Sequence, residues 1–336
     1  MRPPEFWKAE VEGRDAAVVL RALLTPVSWA YAAVAAHRMR TTTSRRAPAP
    51  VICVGNFTVG GAGKTPVTRA IRAKLGQHAH TLSRGYGGRA LGPLRVTPDM
   101  DAAEVGDEPL LHARDGPAWV ARDRYAGALA AAQAGAHVII MDDGFQNPSL
   151  AKDLCIVAVD PAYGVGNGQV FPAGPLRECL RDGIARADAI VMLHNTWSED
   201  TPEQPEWLSG FSNPVLHASL SPIGEAPKGP LIAFAGLARP EKFFDTLGAV
   251  GADVEDVVPF SDHHLYSEDD MRFLAEMAEE RGAQLITTEK DAARLAPNWR
   301  ARVAVLPVAA RFADEAALDA LLAPIQSRIT AAHGEA

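Results

Sequence analysis

The sequence of 336 residues has little cysteine and no excess of positive charge. Its three cysteines, Cys53, Cys155 and Cys179, are widely spaced and odd in number. Such a set predicts neither a disulfide framework nor a zinc site, and it suits a reducing cytoplasm. The formal net charge is −8, whereas general nucleic-acid binders present a basic surface, so we expect no nucleic-acid partner.

No stretch has the uninterrupted apolar length that is typical of a membrane-spanning helix. The N-terminus comes nearest, because residues 18–34 are apolar and partly aromatic with Arg21 as the one interior charge. Pro26 is expected to kink a helix there, and basic residues follow at 37–46. The pattern favours either a helix in a membrane interface or a helix that packs on the domain core. We therefore treat residues 1–45 as a separate N-terminal element.

A glycine-rich loop is the feature around which the chain is organised. The apolar run 51–54 leads into glycines 60, 61 and 63, and Lys64-Thr65 opens a helix. In a phosphate-binding loop of this kind, backbone N–H groups and the helix N-terminus surround phosphate oxygens. Thr58 stands where the general pattern has its first glycine, and a plain glycine turn is the alternative reading. The strand–loop–helix context favours a nucleotide site formed by Thr58, Gly60, Gly61, Ala62, Gly63, Lys64 and Thr65.

Two adjacent aspartates support this interpretation. Asp142 and Asp143 come directly after the apolar run 137–141, which reads as a buried strand. An acid at such a strand end can hold Mg²⁺ or its water shell opposite the loop threonine, Thr65, while Lys64 reaches the β- and γ-phosphates. A solvated turn is the alternative. The predicted ligands are thus ATP and Mg²⁺, with Thr65, Asp142 and Asp143 on the metal side.

Strand and helix signals alternate along the rest of the chain, which predicts a parallel sheet with flanking helices. A polar, proline-rich shift at 196–230 marks a domain boundary, so we predict a P-loop core domain over 46–222 and a smaller α/β domain over 223–336. The loop 164–178 is too long and too rich in glycine and proline for a plain connection. His263 and His264 follow a strand end, where they could be ordinary core or surface residues or part of a ligand site.

Eight segments together resemble the tetraacyldisaccharide 4'-kinases of lipid A biosynthesis, and they cover nearly the whole chain. The family shows Thr58 in place of the loop glycine, and the one departure is Asn147, where the family commonly has histidine. The segments are 4–7 (PEFW), 54–65 (VGNFTVGGAGKT), 83–87 (SRGYG), 105–109 (VGDEP), 142–146 (DDGFQ), 171–178 (FPAGPLRE), 260–263 (FSDH) and 287–291 (TTEKD).

The resemblance implies a fold and roles for residues at the matching positions. The fold would be a P-loop NTPase-type α/β/α sandwich and a smaller α/β domain, joined by a short β linker, with the site in the cleft between them. Asp107, paired with His263, would be the catalytic carboxylate, and Lys64 would act on the phosphates. Residues implied on the substrate side are Arg84, Tyr86, Arg122, Gln146 and Glu178.

The implied reaction is phosphorylation of the 4'-hydroxyl of tetraacyldisaccharide 1-phosphate by ATP. The implied location is the cytoplasmic face of the bacterial inner membrane, with the N-terminal helix at the membrane surface and no obligate protein partner. Two other readings compete. One is a membrane-peripheral nucleotide switch like the partition-type ATPases, although these carry a lysine where this chain has Val59. The other is a soluble small-molecule kinase.

Overall fold

The computed structural model of the protein describes residues 4–9, 15–195 and 204–333, and these residues form two sheets. The larger sheet contains β1 (Val51–Gly55), β2 (Ala79–Ser83), β3 (Leu94–Val96), β4 (Ala118–Val120), β5 (Val138–Asp142), β6 (Leu154–Val159), β7 (Ala189–His194), β8 (Val215–Pro222) and β13 (Val308–Phe312). The smaller sheet contains β9 (Leu231–Ala235), β10 (Val254–Pro259), β11 (Gln284–Thr288) and β12 (Ala304–Leu306).

The larger sheet has the strand order β13-β8-β7-β6-β1-β5-β2-β4-β3. Strand β1 lies between β5 and β6 and is parallel to both, whereas the edge strands β3 and β13 are antiparallel to their neighbours. Strands β1 and β5 are buried along their whole length, as expected where helices cover both faces of a parallel sheet. The smaller sheet is parallel, in the order β10-β9-β11-β12.

The helices are α1 (Asp15–Thr41), α2 (Lys64–Leu75), α3 (Ala102–Val105), α4 (Asp107–Asp115), α5 (Arg124–Gln133), α6 (Leu180–Ile184), α7 (Glu241–Ala249), α8 (Glu268–Glu280), α9 (Glu289–Ala292), α10 (Pro297–Arg300) and α11 (Glu315–His333). Successive side chains of a strand point to opposite faces, and β1 follows this rule. Cys53 belongs to one apolar core with Ala128 of α5, and Ile52 belongs to another with Ile71 of α2. The large domain is therefore a three-layer α/β/α sandwich.

The chain returns to the large sheet after the small one. Strand β13 pairs antiparallel with β8 from Pro222↔Val308 to Ala218↔Phe312. Leu318 and Leu322 of α11 belong to the same core as α2. The small sheet is thus an insertion between β8 and β13, and the predicted division, in which everything from 223 to 336 forms one domain, does not match this topology. The reason is that the apolar sides of β13 and α11 complete the core of the large domain.

Helix α1 lies largely outside both cores. Residues 16–41 are long and apolar enough to cross a membrane by length and composition, and 6% of the helix's most apolar window is buried. This corrects the expectation that no stretch reaches that length, because the helix continues through Arg21 and Pro26. Leu23 and Trp29 are 69% and 71% exposed. Such exposure does not fit a helix that packs along its length on a domain core.

Candidate active site

The loop after β1 requires glycine at two positions and tolerates threonine at a third. Gly60 and Gly63 have φ values of 110° and 75°, in the region that L side chains rarely adopt. A Cβ on Gly63 would also lie 2.1 Å from Cδ2 of Leu193. Thr58 has a negative φ and forms an antiparallel bridge with Leu176. No glycine is needed there, which explains in backbone terms how the loop departs from the general pattern.

The loop's lysine and threonine meet the acids that follow β5. Lys64 and Thr65 form the first turn of α2, and Val54 of β1 is in register with Asp142 of β5. The hydroxyl of Thr65 lies 3.3 Å from Oδ2 of Asp142, and Nζ of Lys64 lies 3.7 Å from Oδ1 of Asp143. The structure therefore brings all four predicted phosphate- and metal-side residues together.

Asp142 is a buried carboxylate with one satisfied oxygen. Its Oδ2 contacts Thr65 and lies 2.7 Å from Nε2 of His112, a buried residue of α4. Its Oδ1 is buried and has no hydrogen-bond partner. An unpartnered buried carboxylate oxygen is costly unless a cation or a donor meets it. The described residues contain no cluster of three histidine, cysteine or acidic side chains that could hold a metal alone.

Asp143 is held in an unusual conformation by two cations. Its φ is 56°, in the left-handed region that favours glycine, and Arg177 donates from Nη1 to its Oδ1 at 2.8 Å. Burial alone would raise the pKa of this carboxyl, but Lys64 and Arg177 outweigh burial and hold the pKa below its ordinary value. The carboxylate is therefore ionised at neutral pH and faces the loop lysine.

Asp107 and His263 come together across the cleft between the two sheets. Asp107 is the first residue of α4 in the large domain, and His263 follows β10 in the small one. Nδ1 of His263 lies 3.2 Å from Oδ2 of Asp107. The side chain of His263 is 31% exposed, whereas that of Asp107 is 5% exposed. The histidine is therefore the more accessible member of the pair. The ring of Tyr86, from the glycine-rich loop after β2, lies 5.3 Å from the imidazole.

Cations of the small domain surround Asp107. Arg294 donates from Nε to its Oδ2 at 2.9 Å, and Nζ of Lys290 lies 3.9 Å from the same oxygen. Lys290 also donates to Glu108 at 3.0 Å. Burial would raise the pKa of Asp107, but Lys290, the hydrogen bond from His263 and the charge of Arg294 outweigh it and hold the pKa well below its usual range. Asp107 therefore stays ionised.

Further ion pairs join the domains on both sides of this network. Arg69 of α2 donates to Glu289 of α9 at 2.8 Å. Arg239 and Lys242, at the start of α7, contact the buried carboxylate of Asp160. The cleft is thus closed by charged contacts at several places along its length.

The residues implied on the substrate side fall into separate groups. Gln146 donates to the carbonyl of Asn56 and to Glu178, both at 3.0 Å, and Glu178 accepts two bonds from Arg186 at 2.7 Å. These side chains therefore support one another beneath the phosphate loop.

Arg84 and Arg122 are exposed and follow the neighbouring parallel strands β2 and β4. The structure records no contact between either side chain and the Asp107–His263 pair. Asn147, the one departure from the family resemblance, caps a local turn, because its Oδ1 accepts from the backbone N–H and the hydroxyl of Ser149.

A groove of about 360 Å³ separates α1 from the segment 178–186. Helix α1 lines it with apolar side chains and one cation, namely Ala32, Ala36, Met39 and Arg40. The facing segment carries Arg181 and Arg186, which pair with Asp182 and Glu178 of the same lining. Helix α1 is fastened beside the groove, because the N–H of Ala173 donates to the hydroxyl of Ser28 at 2.9 Å and Tyr31 packs edge-on against Phe171 at 5.6 Å. The groove therefore offers both apolar and cationic surface next to Glu178.

Sequence reasoning missed several side chains at this site. They are His112, which contacts Asp142, Arg177, which holds Asp143, the two small-domain partners of α4, Lys290 and Arg294, and Glu289, which accepts from Arg69 of α2. Arg177 and Lys290 lie in segments whose pattern was recognised, so a role could have been suspected. His112 and Arg294 carry no local signal, because only the tertiary fold brings them to their partners.

The site combines a glycine loop that ends in Lys-Thr at the start of a helix with acids at the end of the neighbouring parallel strand. A carboxylate–histidine pair lies across the cleft. These features define a P-loop phosphotransferase. The comparisons with known proteins agree. A family model described as tetraacyldisaccharide-1-P 4'-kinase matches residues 20–326. The chain belongs to the tetraacyldisaccharide 4'-kinase family.

Curated relatives and a solved structure match over nearly the full length. The tetraacyldisaccharide 4'-kinase of Maricaulis maris is 49% identical over 345 residues and covers 100% of both chains. That of Phenylobacterium zucineum is 51% identical, covering 95% of this chain and 98% of the relative. A crystal structure of the "apo" form of LpxK from Aquifex aeolicus in complex with ATP has a TM-score of 0.74 at 29% identity, covering 91% of this chain and 99% of the other. The predicted family, fold class and kinase activity are confirmed.

Proposed function

We propose that the protein transfers the γ-phosphoryl group of ATP to the 4'-hydroxyl of tetraacyldisaccharide 1-phosphate. The observation that carries this proposal is the meeting of two half-sites. The large domain contributes the phosphate loop with Lys64 and the carboxylate of Asp107, and the small domain contributes His263, whose Nδ1 lies 3.2 Å from Asp107. Family membership supplies the substrate, since the relatives are named for this reaction.

Lys64 supplies the charge that follows the transferred phosphoryl group. Phosphoryl transfer depends chiefly on positioning and on stabilising the negative charge of the transition state. The Lys64 side chain is 8% exposed and lies at the N-terminus of α2, where backbone N–H groups also point at an anion. Before nucleotide binds, Asp143 is its partner.

The donors at the end of β5 fit Mg²⁺. A hydroxyl oxygen and a carboxylate are the ligands that this ion takes from P-loop proteins, with water and phosphates completing its shell. Asp142 leaves Oδ1 buried and unpartnered, and Thr65 lies against its other oxygen. Thr65 and Asp142 would hold the ion, directly or through water, and Asp143 would face it. The ion would neutralise charge on the phosphates.

His263 is positioned to take the proton of the attacking hydroxyl. In the tautomer whose Nδ1–H donates to Asp107, Nε2 is the acceptor, and it lies 3.9 Å from Oδ1 of Asp262. Asp107 orients the imidazole and stabilises its charged form, as the carboxylate does in other acid–histidine pairs. Assistance of this kind typically contributes about 10²–10⁴-fold to the rate.

Helix α1 is proposed to lie at a membrane and to help receive the lipid. Its exposed apolar side chains, with Arg38 and Arg40 near its C-terminus, suit a bilayer with anionic headgroups, and each basic residue near such a surface adds about 1 kcal/mol. The groove beside Ala32, Ala36 and Met39 would take the lipid, with the acyl chains against these side chains and the 1-phosphate near the cations Arg40, Arg181 and Arg186. Since ATP is a cytoplasmic nucleotide, this membrane surface is the cytoplasmic face of the inner membrane.

Mass spectrometry of the lipid after incubation with ATP and Mg²⁺ tests the reaction. We expect tetraacyldisaccharide 1-phosphate to gain one phosphate, and the same lipid lacking a free 4'-hydroxyl to gain none. ATP turnover that does not depend on this lipid would favour a nucleotide switch or a small-molecule kinase and would overturn the proposal.

Sedimentation with vesicles that contain anionic phospholipid tests the membrane contact. Leu23→Glu together with Trp29→Glu places two charges on the exposed face of α1, and we expect vesicle binding to be lost. Phe273→Glu is the matched control, because Phe273 is 54% exposed on α8 of the small domain. Equal binding of all three proteins would contradict the role of α1.

A further inference from the structure

Arg294 carries an almost fully buried guanidinium, and its N–H groups donate to both domains. Its side chain is 2% exposed. Nε donates to Oδ2 of Asp107 at 2.9 Å, and Nη2 contacts the same oxygen. Nη1 donates to Oδ1 of Asp291 and to the carbonyl of Gly236, both at 3.0 Å. Burying a charge costs free energy unless its hydrogen bonds are satisfied. Here the acceptors are Asp107 of the Asp107–His263 dyad and, in the small domain, Asp291 and the carbonyl of Gly236.

The carbonyl of Gly236 ties Arg294 to the other member of the dyad. The backbone N–H of His263 donates to this same carbonyl at 3.1 Å. His263 has a φ of 57°, which costs energy for a residue other than glycine and persists only where neighbours hold it. The guanidinium therefore contacts the Asp107 carboxylate directly and shares a backbone acceptor with the residue that carries the imidazole.

Asp291 fixes the guanidinium in its turn. Its Oδ1 accepts from the N–H of Gly236 at 2.9 Å and from the hydroxyl of Tyr266 at 2.8 Å, and its Oδ2 accepts from Thr288 at 2.7 Å. This carboxylate is itself fully buried. The network leaves Arg294 little freedom, so the position of its Nε and Nη2 atoms is set by the small domain.

We infer that Arg294 is a positioning residue for phosphoryl transfer, which seats Asp107 against His263 when the small domain lies on the large one. The inference rests on the proposed function of the dyad. Lys290 is placed differently, because it lies 3.9 Å from Asp107 and bonds to Glu108, and so it contributes charge without fixing geometry.

Arg294 also determines what Asp107 can do. Oδ2 of the carboxylate accepts from Arg294 and His263, and Oδ1 accepts from the N–H of Glu108 at 2.9 Å. With both oxygens accepting hydrogen bonds, Asp107 is held in one orientation beside the imidazole. The charge of Arg294 is among the causes that keep the pKa of Asp107 low, after that of Lys290 and the hydrogen bond from His263.

The pH dependence of kcat/KM, measured for three variants, tests the inference. Arg294→Met removes both the positive charge and the forked N–H donors of the guanidinium. We expect kcat to fall at least about tenfold with little change in KM for ATP. The acid limb of its profile should move to higher pH, because the Asp107–His263 pair takes up its proton more readily once the neighbouring cation is lost. Arg294→Lys keeps the positive charge, so the acid limb of its profile should stay near that of the wild type. It lacks the forked N–H donors of the guanidinium, so kcat should remain reduced.

Arg300→Met is the matched control. Arg300 is another small-domain guanidinium, but it donates to the carbonyls of Ala292, Ala293 and Leu295 and to no acid. Its loss should lower the melting temperature without moving the pH profile. ATP-induced stabilisation of each variant shows that the phosphate loop has folded.

The outcomes separate this inference from the proposed function. If the wild type does not phosphorylate the lipid, the proposed function fails. If the wild type is active and Arg294→Met keeps its kcat and its acid limb, Arg294 has no positioning role. If Arg294→Met no longer folds, Arg294→Lys decides, since wild-type kcat in that variant would also overturn the inference.

Discussion

The two walls of the cleft supply their chemistry in different ways. On the large-domain wall, Lys64 and Thr65 come from one loop, and their acidic partners follow a strand that is in register with the strand before that loop. On the small-domain wall, His263 and Arg294 reach Asp107 over 156 and 187 residues of sequence. We expect the first wall to bind nucleotide without the second, whereas the Asp107–His263 pair forms only where both walls meet.

This difference assigns separate tasks to the walls. Changes on the large-domain wall should remove phosphate handling itself, and changes in the dyad should slow transfer while nucleotide still binds. Closure of the cleft would also keep water from the phosphoryl group.

The largest effect is expected for Lys64→Ala, which removes the buried cation of the phosphate loop. Loss of one preorganised charge of this kind costs about 10²–10³-fold in kcat. Steady-state kinetics at saturating ATP measures it. Lys74→Ala is the control, because Lys74 lies on the same helix and pairs with Glu315 and Asp319 outside the cleft. Near wild-type kcat in Lys64→Ala would place catalysis elsewhere.

A smaller effect is expected for the dyad. Asp107→Ala and His263→Ala should each lower kcat by about 10²-fold, with ATP affinity much less affected. If the pair acts as one unit, the double variant should be scarcely worse than the poorer single one. The control is His264→Ala, since His264 bonds to Asp270 instead of Asp107. Losses that multiply in the double variant would show two independent roles.

The smallest effect is expected for Thr58→Gly, which restores the general loop pattern. The backbone at position 58 does not require glycine. Glycine there would raise the conformational entropy of the unfolded chain, which should lower the free energy of unfolding by roughly 0.5–1 kcal/mol. A thermal melt and the KM for ATP measure the two consequences, and KM should change little. A rise in stability would mean that the loop is strained at this position.

The sequence predicts the large-domain wall of the cleft better than the contacts that the small-domain wall makes. The loop 58–65 and the acids Asp142 and Asp143 are contiguous segments whose chemistry follows from local pattern. Asp107 and His263 were paired only because the chain resembles a family. Arg294 had no sequence signal, because its position depends on Asp291, Gly236 and the seating of two domains.

The domain division and the N-terminal helix mark a second limit. Strand β13 falls within the range 223–336 predicted for the small domain, yet its partner is β8 of the large sheet, a pairing that local sequence pattern does not indicate. Helix α1 continues through Arg21 and Pro26, so breaks in the apolar run did not end the helix. The composition of a local segment predicted a boundary in both cases. In the first, a long-range strand pairing outweighed this prediction, and in the second the helix simply continued.

The way in which the small domain is joined to the large one has a mechanical consequence. Its two chain crossings lie side by side, because Pro222 is paired with Val308 and the N–H of Ile223 bonds to the carbonyl of Pro307 at 2.8 Å. Together they form a single hinge at the edge of the nine-stranded sheet, with β7 and β6 between it and β1. We therefore expect the small domain to rotate about this hinge, which would move His263 and Arg294 relative to Asp107 and leave the strand before the phosphate loop in place.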